Sequence, residues 1–220
     1  MNNGSKSGDL SKKLRIKCEV SMRHVHLSEG DSVALFGKKN LTPARELSQP
    51  NQFLCVERVD IITEKGLFKN VAIIGPMRPK TQIEISKTDS FALGLKETPL
   101  RESGKTECTA GVLIVNSMRR DEVLLGDGSL SVLARDGFAT PHEGVIIAKR
   151  HVHLDEKTAL EYDLADGEHV AIVFDGERGG VLDNAVVRVS DKFAPAVHID
   201  SDEGNAMGFS SGDVVVRKYT

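Results

Sequence analysis

Four of the seven histidines in this 220-residue chain fall in two copies of one pentapeptide. Arg23-His24-Val25-His26-Leu27 returns as Arg150-His151-Val152-His153-Leu154. Histidines at i and i+2 of a strand point to the same side, so each pair offers two imidazole nitrogens spaced to share one cation. Zinc held by three protein ligands keeps a position open for water or substrate, which is the catalytic arrangement. Each pair therefore needs a third ligand. His198, in Ala196-Val197-His198-Ile199-Asp200, alternates on a strand pattern and is the natural partner of His151 and His153. For His24 and His26 the best candidate is Glu84, a carboxylate between the apolar Ile83 and Ile85 in Thr81–Ser86.

A single His-x-His on a strand is more often a surface or core pair than a metal site. Repetition of the same five residues reverses that weighting, and two related halves presenting equivalent sites are the economical reading. His142 and His169 have no partner pattern and read as surface or loop histidines. Cys108 has no base near it in the pattern, so it reads as an ordinary thiol rather than a nucleophile.

Strands must position these ligands. Leu14, Ile16, Cys18, Val20 and Met22 are apolar, with Arg15, Lys17, Glu19 and Ser21 between them, a period of two that predicts a strand. His24 and His26 continue the apolar face if that strand runs on. Ser28 then caps a short helix, with Asp31 at the capping-box position and Gly37 as its stop. Asp155 takes the same place after the second motif. Further strands are expected at Phe53–Ile62, Phe68–Ile74, Thr81–Ser86, Gly144–His153, His169–Phe174, Ala185–Val189, Ala196–Ile199 and Val214–Lys218. Asp166-Gly167, Asp175-Gly176 and Gly75-Pro76 supply turns between several of them. Short strands with few helices predict an all-β barrel or sandwich. Residues 1–12, rich in Asn, Gly, Ser and Lys, read as a flexible tail.

Composition bounds the rest. Lys+Arg 29 against Asp+Glu 32 leaves a net charge of -3 and no basic stripe for nucleic acid. No run approaches the roughly 18 apolar residues that cross a bilayer. Cys18, Cys55 and Cys108 lack CxxC spacing and read as reduced thiols. The expectation is a soluble cytoplasmic protein without nucleic-acid or membrane partners.

Ser21-Met22-Arg23-His24-Val25-His26-Leu27-Ser28, the Arg78…Glu84 pair and His198-Ile199-Asp200-Ser201-Asp202-Glu203-Gly204-Asn205-Ala206 resemble the PduL-type phosphate propanoyltransferases, or phosphotransacylases. The resemblance runs from about Leu14 to Val216. It implies two small β-barrel domains with a dinuclear zinc site between them. One would comprise 13–22 plus 149–220, the N-terminal strand joining the C-terminal half, and the other 23–148. One zinc would take His24, His26 and Glu84, the other His151, His153 and His198. Arg78 matches the family's phosphate-binding arginine, Gln52 a glutamine near the active site, and Phe91 and Ser103 positions lining the coenzyme A channel. The implied reaction is acyl-CoA plus phosphate giving acyl phosphate plus CoA, by direct attack of zinc-held phosphate on the thioester. The acyl group would be short, propanoyl or acetyl.

If Arg78 were not the phosphate ligand, Arg23 and Arg150 would be the next candidates. A dinuclear zinc hydrolase and a non-catalytic cupin-like metal module are the competing readings. A homo-oligomer and a coupled acyl kinase are compatible partners. Some family members carry an amphipathic N-terminal helix that directs them into bacterial microcompartments. Met1 and Leu10 are the only apolar residues of Met1–Lys13, so no such stripe is expected here. The stretch from about Glu107 to Pro141 is longer than the family pattern.

Overall fold

The computed structural model describes residues 13–118, 123–126, 129–132 and 137–219. The tail at 1–12 and parts of the long 107–141 stretch lie outside them. In chain order the strands and helices begin β1 (Leu14–Ser21), β2 (His24–His26), α1 (Glu29–Phe36), β3 (Pro43–Glu46), β4 (Phe53–Ile62) and β5 (Leu67–Gly75). They continue with β6 (Gln82–Glu84), α2 (Lys87–Ala92), β7 (Leu100–Arg101), β8 (Leu113–Asn116), β9 (Val123–Gly126), β10 (Ser129–Val132) and β11 (Phe138–Ala139). The last are β12 (Val145–Ala148), β13 (His151–Leu154), α3 (Glu156–Glu161), β14 (His169–Phe174), β15 (Gly180–Val189), β16 (Ala196–Asp200), α4 (Ser201–Ala206) and β17 (Gly212–Lys218).

Among the described residues the architecture is all-β with four short helices. The chain divides into two compact units, Met1–Ser21 with Arg150–Thr220, and Met22–Lys149. The first holds a closed six-stranded barrel in the order β1-β16-β13-β15-β14-β17. The second holds a nine-stranded sheet curled as a half-barrel, β11-β8-β4-β5-β2-β6-β12-β7, with β3 paired to β4. β9 and β10 form a separate antiparallel pair.

Two expected strands are each broken in the same place. The alternation from Leu14 does not run through the histidines: β1 ends at Ser21, Met22 is 66% exposed, and β2 opens a different sheet. Gly144–His153 likewise divides into β12 and β13, with Lys149 and Arg150 between them. Each break moves the chain from one unit to the other. The crossing also inverts the face. Val25 and Leu27 pack in the core of the second unit and Val152 and Leu154 in that of the barrel, so the histidines alternate to the opposite side. A one-residue slip would exchange those aliphatic chains for imidazoles, losing about 1.5–3 kcal/mol for each fully buried side chain. Register is therefore firmly held.

Helix starts follow the local chemistry. Ser28 caps α1 by accepting from the Asp31 amide at 3.1 Å, and Gly37 closes it in the left-handed region at φ 70. Asp155 caps α3 by accepting from the Thr158 amide at 2.8 Å. The strand expected over Thr81–Ser86 is shorter, because Ser86 leaves β6 to become the N-cap of α2. His142 and His169 are exposed, and Cys18, Cys55 and Cys108 are all free thiols. Among the described residues no helix is long and apolar enough to cross a membrane.

Candidate metal centres and anion pocket

Each His-Val-His strand lies between one parallel and one antiparallel neighbour. β2 runs parallel to β5 and antiparallel to β6, which sets His24 opposite Glu84. β13 runs parallel to β15 and antiparallel to β16, which sets His151 opposite His198. Cross-strand partners bring their Cβ atoms within about 5 Å, so the pairing register itself delivers the third candidate ligand. Within each triad the candidate ligand atoms lie within 4.8 Å of one another.

In the second unit His24 Nε2 is 3.5 Å from Glu84 Oε2, and His26 Nε2 is 3.8 Å from Glu84 Oε1. Tetrahedral zinc with ligands at about 2.0–2.1 Å needs donor atoms about 3.4 Å apart, so the gap suits one such ion. The far nitrogens are tied to the backbone. His24 Nδ1 meets Met22 O at 2.8 Å and His26 Nδ1 meets Ile74 O at 3.0 Å. A carbonyl only accepts, so each Nδ1 carries the proton and each Nε2 presents its lone pair to the cluster. Burial, followed by the fields of His24 and Arg78, pushes His26 down to about 3, which keeps its ring neutral at physiological pH. Burial alone would raise the Glu84 carboxyl. His24, His26, Arg78 and the Ser103 hydroxyl together hold it below the ordinary carboxylate range.

In the barrel the three rings gather with centroids 4.6 Å (His151–His153), 5.0 Å (His151–His198) and 4.9 Å (His153–His198) apart. Phe193 stacks on His153 at 4.1 Å. Burial, then His151, His198 and Arg188, push His153 down to about 2. Its Nδ1 is buried without a hydrogen-bond partner, a cost that a coordinated cation or a reoriented donor would relieve. His198 Nδ1 lies 3.8 Å from Glu19 Oε2, with Lys17 Nζ on the other carboxylate oxygen of Glu19 at 2.7 Å. A carboxylate behind a ligating imidazole orients its ring and raises its basicity. Two histidines with a glutamate, and three histidines together, are both donor sets of catalytic zinc. Both triads fit that ion.

A cavity of about 220 Å³ in the second unit is lined by His26, Pro50, Asn51, Gln52, Gly75, Pro76 and Arg78. It brings Gln52 and Arg78 beside His26 of the first candidate triad. Its wall is tight, since a Cβ on Gly75 would fall 2.4 Å from the Phe53 ring. The Ser103 hydroxyl ties Arg78 to the triad: it accepts from Arg78 Nη1 at 2.8 Å and donates to Glu84 Oε1 at 2.9 Å. Ser103, expected along a coenzyme A channel, thus sits in the Arg78–Glu84 network. Phe91 lies apart from that network on α2, about half exposed, with Lys87 Nζ 5.1 Å from its ring centroid.

Arg23 and Arg150, the alternative phosphate ligands, are engaged by carboxylates. Arg23 pairs with Asp89 at 2.6 Å and Arg150 with Glu203 at 2.6 Å. Sequence reasoning missed Gln82, whose Nε2 donates to Glu84 Oε1 at 2.5 Å and to Ser103 Oγ at 2.8 Å. Its spacing of two from Glu84 on a strand was the available signal. Glu19 was likewise legible as a carboxylate on the polar face of β1.

The phosphate propanoyltransferase family model matches residues 17–128 and 117–210. The phosphate propanoyltransferase of Enterococcus faecalis is 43% identical over 195 residues, 88% of this chain and 83% of that protein. That of Alkaliphilus metalliredigens is 42% identical over 200 residues, 90% of this chain and 85% of that protein. That of Thermotoga maritima is 40% identical over 198 residues, 89% and 85%. Similarity of this extent, reaching through both His-Val-His motifs, shows that the chain belongs to the phosphate propanoyltransferase family of acyltransferases.

Proposed function

We propose that this chain moves a short acyl group, propanoyl or acetyl, between coenzyme A and inorganic phosphate, and that each triad holds one zinc ion. The observation that carries the reading is the cavity where Arg78 and Gln52 meet His26, with Ser103 tying Arg78 to Glu84. An always-charged guanidinium beside the neutral His26 imidazole suits an anion held for reaction.

His24, His26 and Glu84 would hold one ion, and His151, His153 and His198 the other. Bound zinc supplies Lewis-acid charge that offsets negative charge on the reacting oxygens. Arg78 grips phosphate with parallel N–H donors, and Ser103 fixes the angle of its fork. Gln52 adds amide hydrogen-bonding capacity at the rim of the same cavity. Held this way, a phosphate oxygen forms its bond to the acyl carbon while the carbon–sulfur bond breaks, and the electron pair leaves on the coenzyme A thiolate. The preorganised Arg78 guanidinium lowers the barrier for the negative charge that develops on the reacting oxygens. No covalent acyl-enzyme is required. Burial raises the Cys18 thiol to about 12 and the Cys55 thiol to about 11, so neither is poised as a nucleophile.

Phe91, half exposed, is assigned to the coenzyme A path. The enzyme is assigned to the cytoplasm, with an acyl kinase as the class of enzyme that consumes its product. The test follows thiol release from acetyl-, propanoyl- and butyryl-CoA with and without phosphate. Phosphate-dependent release with acyl phosphate as product supports the reading. Equal release without phosphate would make the chain a thioester hydrolase.

A further inference from the structure

The arginine that opens each His-Val-His motif is paired with a carboxylate, and both copies are tied into the same device. Arg23 stands one residue before His24. Its Nε donates to Asp89 Oδ2 at 3.0 Å and its Nη2 to Asp89 Oδ1 at 2.6 Å, while its guanidinium lies 4.2 Å from the Phe68 ring centroid. Asp89 is the third residue of α2 and closes a capping box with Ser86, which follows Glu84 by two residues. The Ser86 amide donates to Asp89 Oδ2 at 3.4 Å, and the Asp89 amide to Ser86 Oγ at 3.2 Å.

In the barrel Arg150 stands one residue before His151. Its Nε donates to Glu203 Oε1 at 2.6 Å and its Nη1 to the Asp183 carbonyl at 2.7 Å. Glu203 is the third residue of α4 and closes a capping box with Asp200, which follows His198 by two. The Asp200 amide donates to Glu203 Oε2 at 3.1 Å, and the Glu203 amide to Asp200 Oδ1 at 2.8 Å.

The offsets agree while the residue types differ. The third ligand is Glu84 or His198, the cap Ser86 or Asp200, the acid Asp89 or Glu203. The retained element is an arginine–carboxylate bond joining the start of the histidine strand to the helix corner beyond the third ligand. We infer that Arg23–Asp89 and Arg150–Glu203 are positioning pairs, each holding the separation between its first histidine and the facing ligand so that the triad is set before a cation binds. The inference rests on the zinc reading above. It carries a consequence that an ordinary surface ion pair does not: each arginine governs the ion of its own triad alone. Side chains behind metal ligands commonly alter metal affinity by about 10- to 100-fold. These pairs act through the backbone, so an effect of about tenfold is expected.

The full-length zinc-loaded chain is mixed with a chromophoric chelator and zinc release is followed in time. His198→Ala identifies the phase that belongs to the barrel triad. Arg23→Gln and Asp89→Asn should each accelerate release from the Glu84 triad about tenfold and leave the barrel phase unchanged. Arg150→Gln and Glu203→Gln should do the reverse. Each arginine–acid double variant should be no faster than its single variants, because the pair acts as a unit. Replacing zinc by cobalt gives a second readout, the visible absorption of one triad changing while the other is kept. Should an arginine variant fail to fold, its shape-conserving acid variant carries the measurement. A wild-type chain that retains two zinc ions, with every variant releasing both at wild-type rates, overturns the positioning role alone. Both phases accelerating together, in step with a lower melting temperature, also overturns it, since that is general destabilisation. A wild-type chain that holds no zinc overturns the zinc reading and the positioning role with it.

Discussion

The Ser103 hydroxyl has its hydrogen-bonding capacity fully committed. Arg78 Nη1 and Gln82 Nε2 only donate to it, and Glu84 Oε1 only accepts from it, so its one proton goes to Glu84 and its two lone pairs to the nitrogens. Ser103→Ala removes three bonds at 2.8–2.9 Å, two of them to charged groups. A hydrogen bond to a charged group contributes about 1.5–3 kcal/mol. The Glu84 side keeps the Gln82 donor at 2.5 Å, so zinc should stay bound with its affinity reduced no more than about tenfold. The Arg78 side loses the anchor that sets its fork. Losing one such bond in the transition state lowers kcat/KM for phosphate by about 10- to 150-fold, at 1.36 kcal/mol per factor of ten. Initial rates at varied phosphate and fixed propanoyl-CoA, then the reverse, separate the two substrates, and elemental analysis reports zinc. Ser103→Thr keeps the hydroxyl and should retain most activity. An unchanged phosphate dependence with a raised KM for propanoyl-CoA would refute this account and return Ser103 to the coenzyme A channel that the family resemblance implies.

Arg78→Lys keeps the charge but not the fork, so phosphate kcat/KM should fall about 10- to 100-fold with zinc intact, and the reverse reaction should suffer comparably. Phosphate saturation curves check this, and an unaltered curve would give Arg78 another role. His198→Ala should leave one zinc per chain and abolish turnover, because a triad of three ligands has none to spare. Two zinc ions by elemental analysis of that variant would remove His198 from the ligand set. Raised thiols hold less thiolate, so at pH 8 Cys18 and Cys55 should resist an alkylating reagent and react faster only as pH climbs toward 11–12. Mass spectrometry should find the exposed Cys108 labelled first in the folded chain, and all three sites after unfolding.

The two candidate triads were legible because their residue types are rare and their spacing repeats. His198 and Glu84 could be paired with their motifs from alternation alone, and β4 and β14 fall where their apolar runs place them. The strand breaks were not legible. Leu14 through His26 keeps one unbroken parity, and hydropathy carries no mark of the point where the chain changes sheets. α2 and α4 did leave a signal, the caps Ser86 and Asp200 with acids three residues later. The strand expected over Thr81–Ser86 ran over the first of these. β3 is exposed along its length and shows no alternation to read. Ser103 and the Arg23–Asp89 pair act through contacts between distant parts of the chain, for which a single sequence holds no local pattern.

The two crossings also set an order of events during synthesis. β1 finds its partners in β16 and β17, with Leu14 opposite Val216, so it waits for strands made about 180 residues later. The 22–149 unit has its own first and last strands, β2 and β12, on either side of β6, and can close as soon as β12 is made. Non-local pairing slows folding because loop-closure entropy is lost before contacts compensate for it. β1 therefore remains an unpaired edge while a complete unit forms behind it. Its alternating Arg15, Lys17 and Glu19 place charge on one face of that waiting strand, the feature by which natural edge strands resist pairing with other chains.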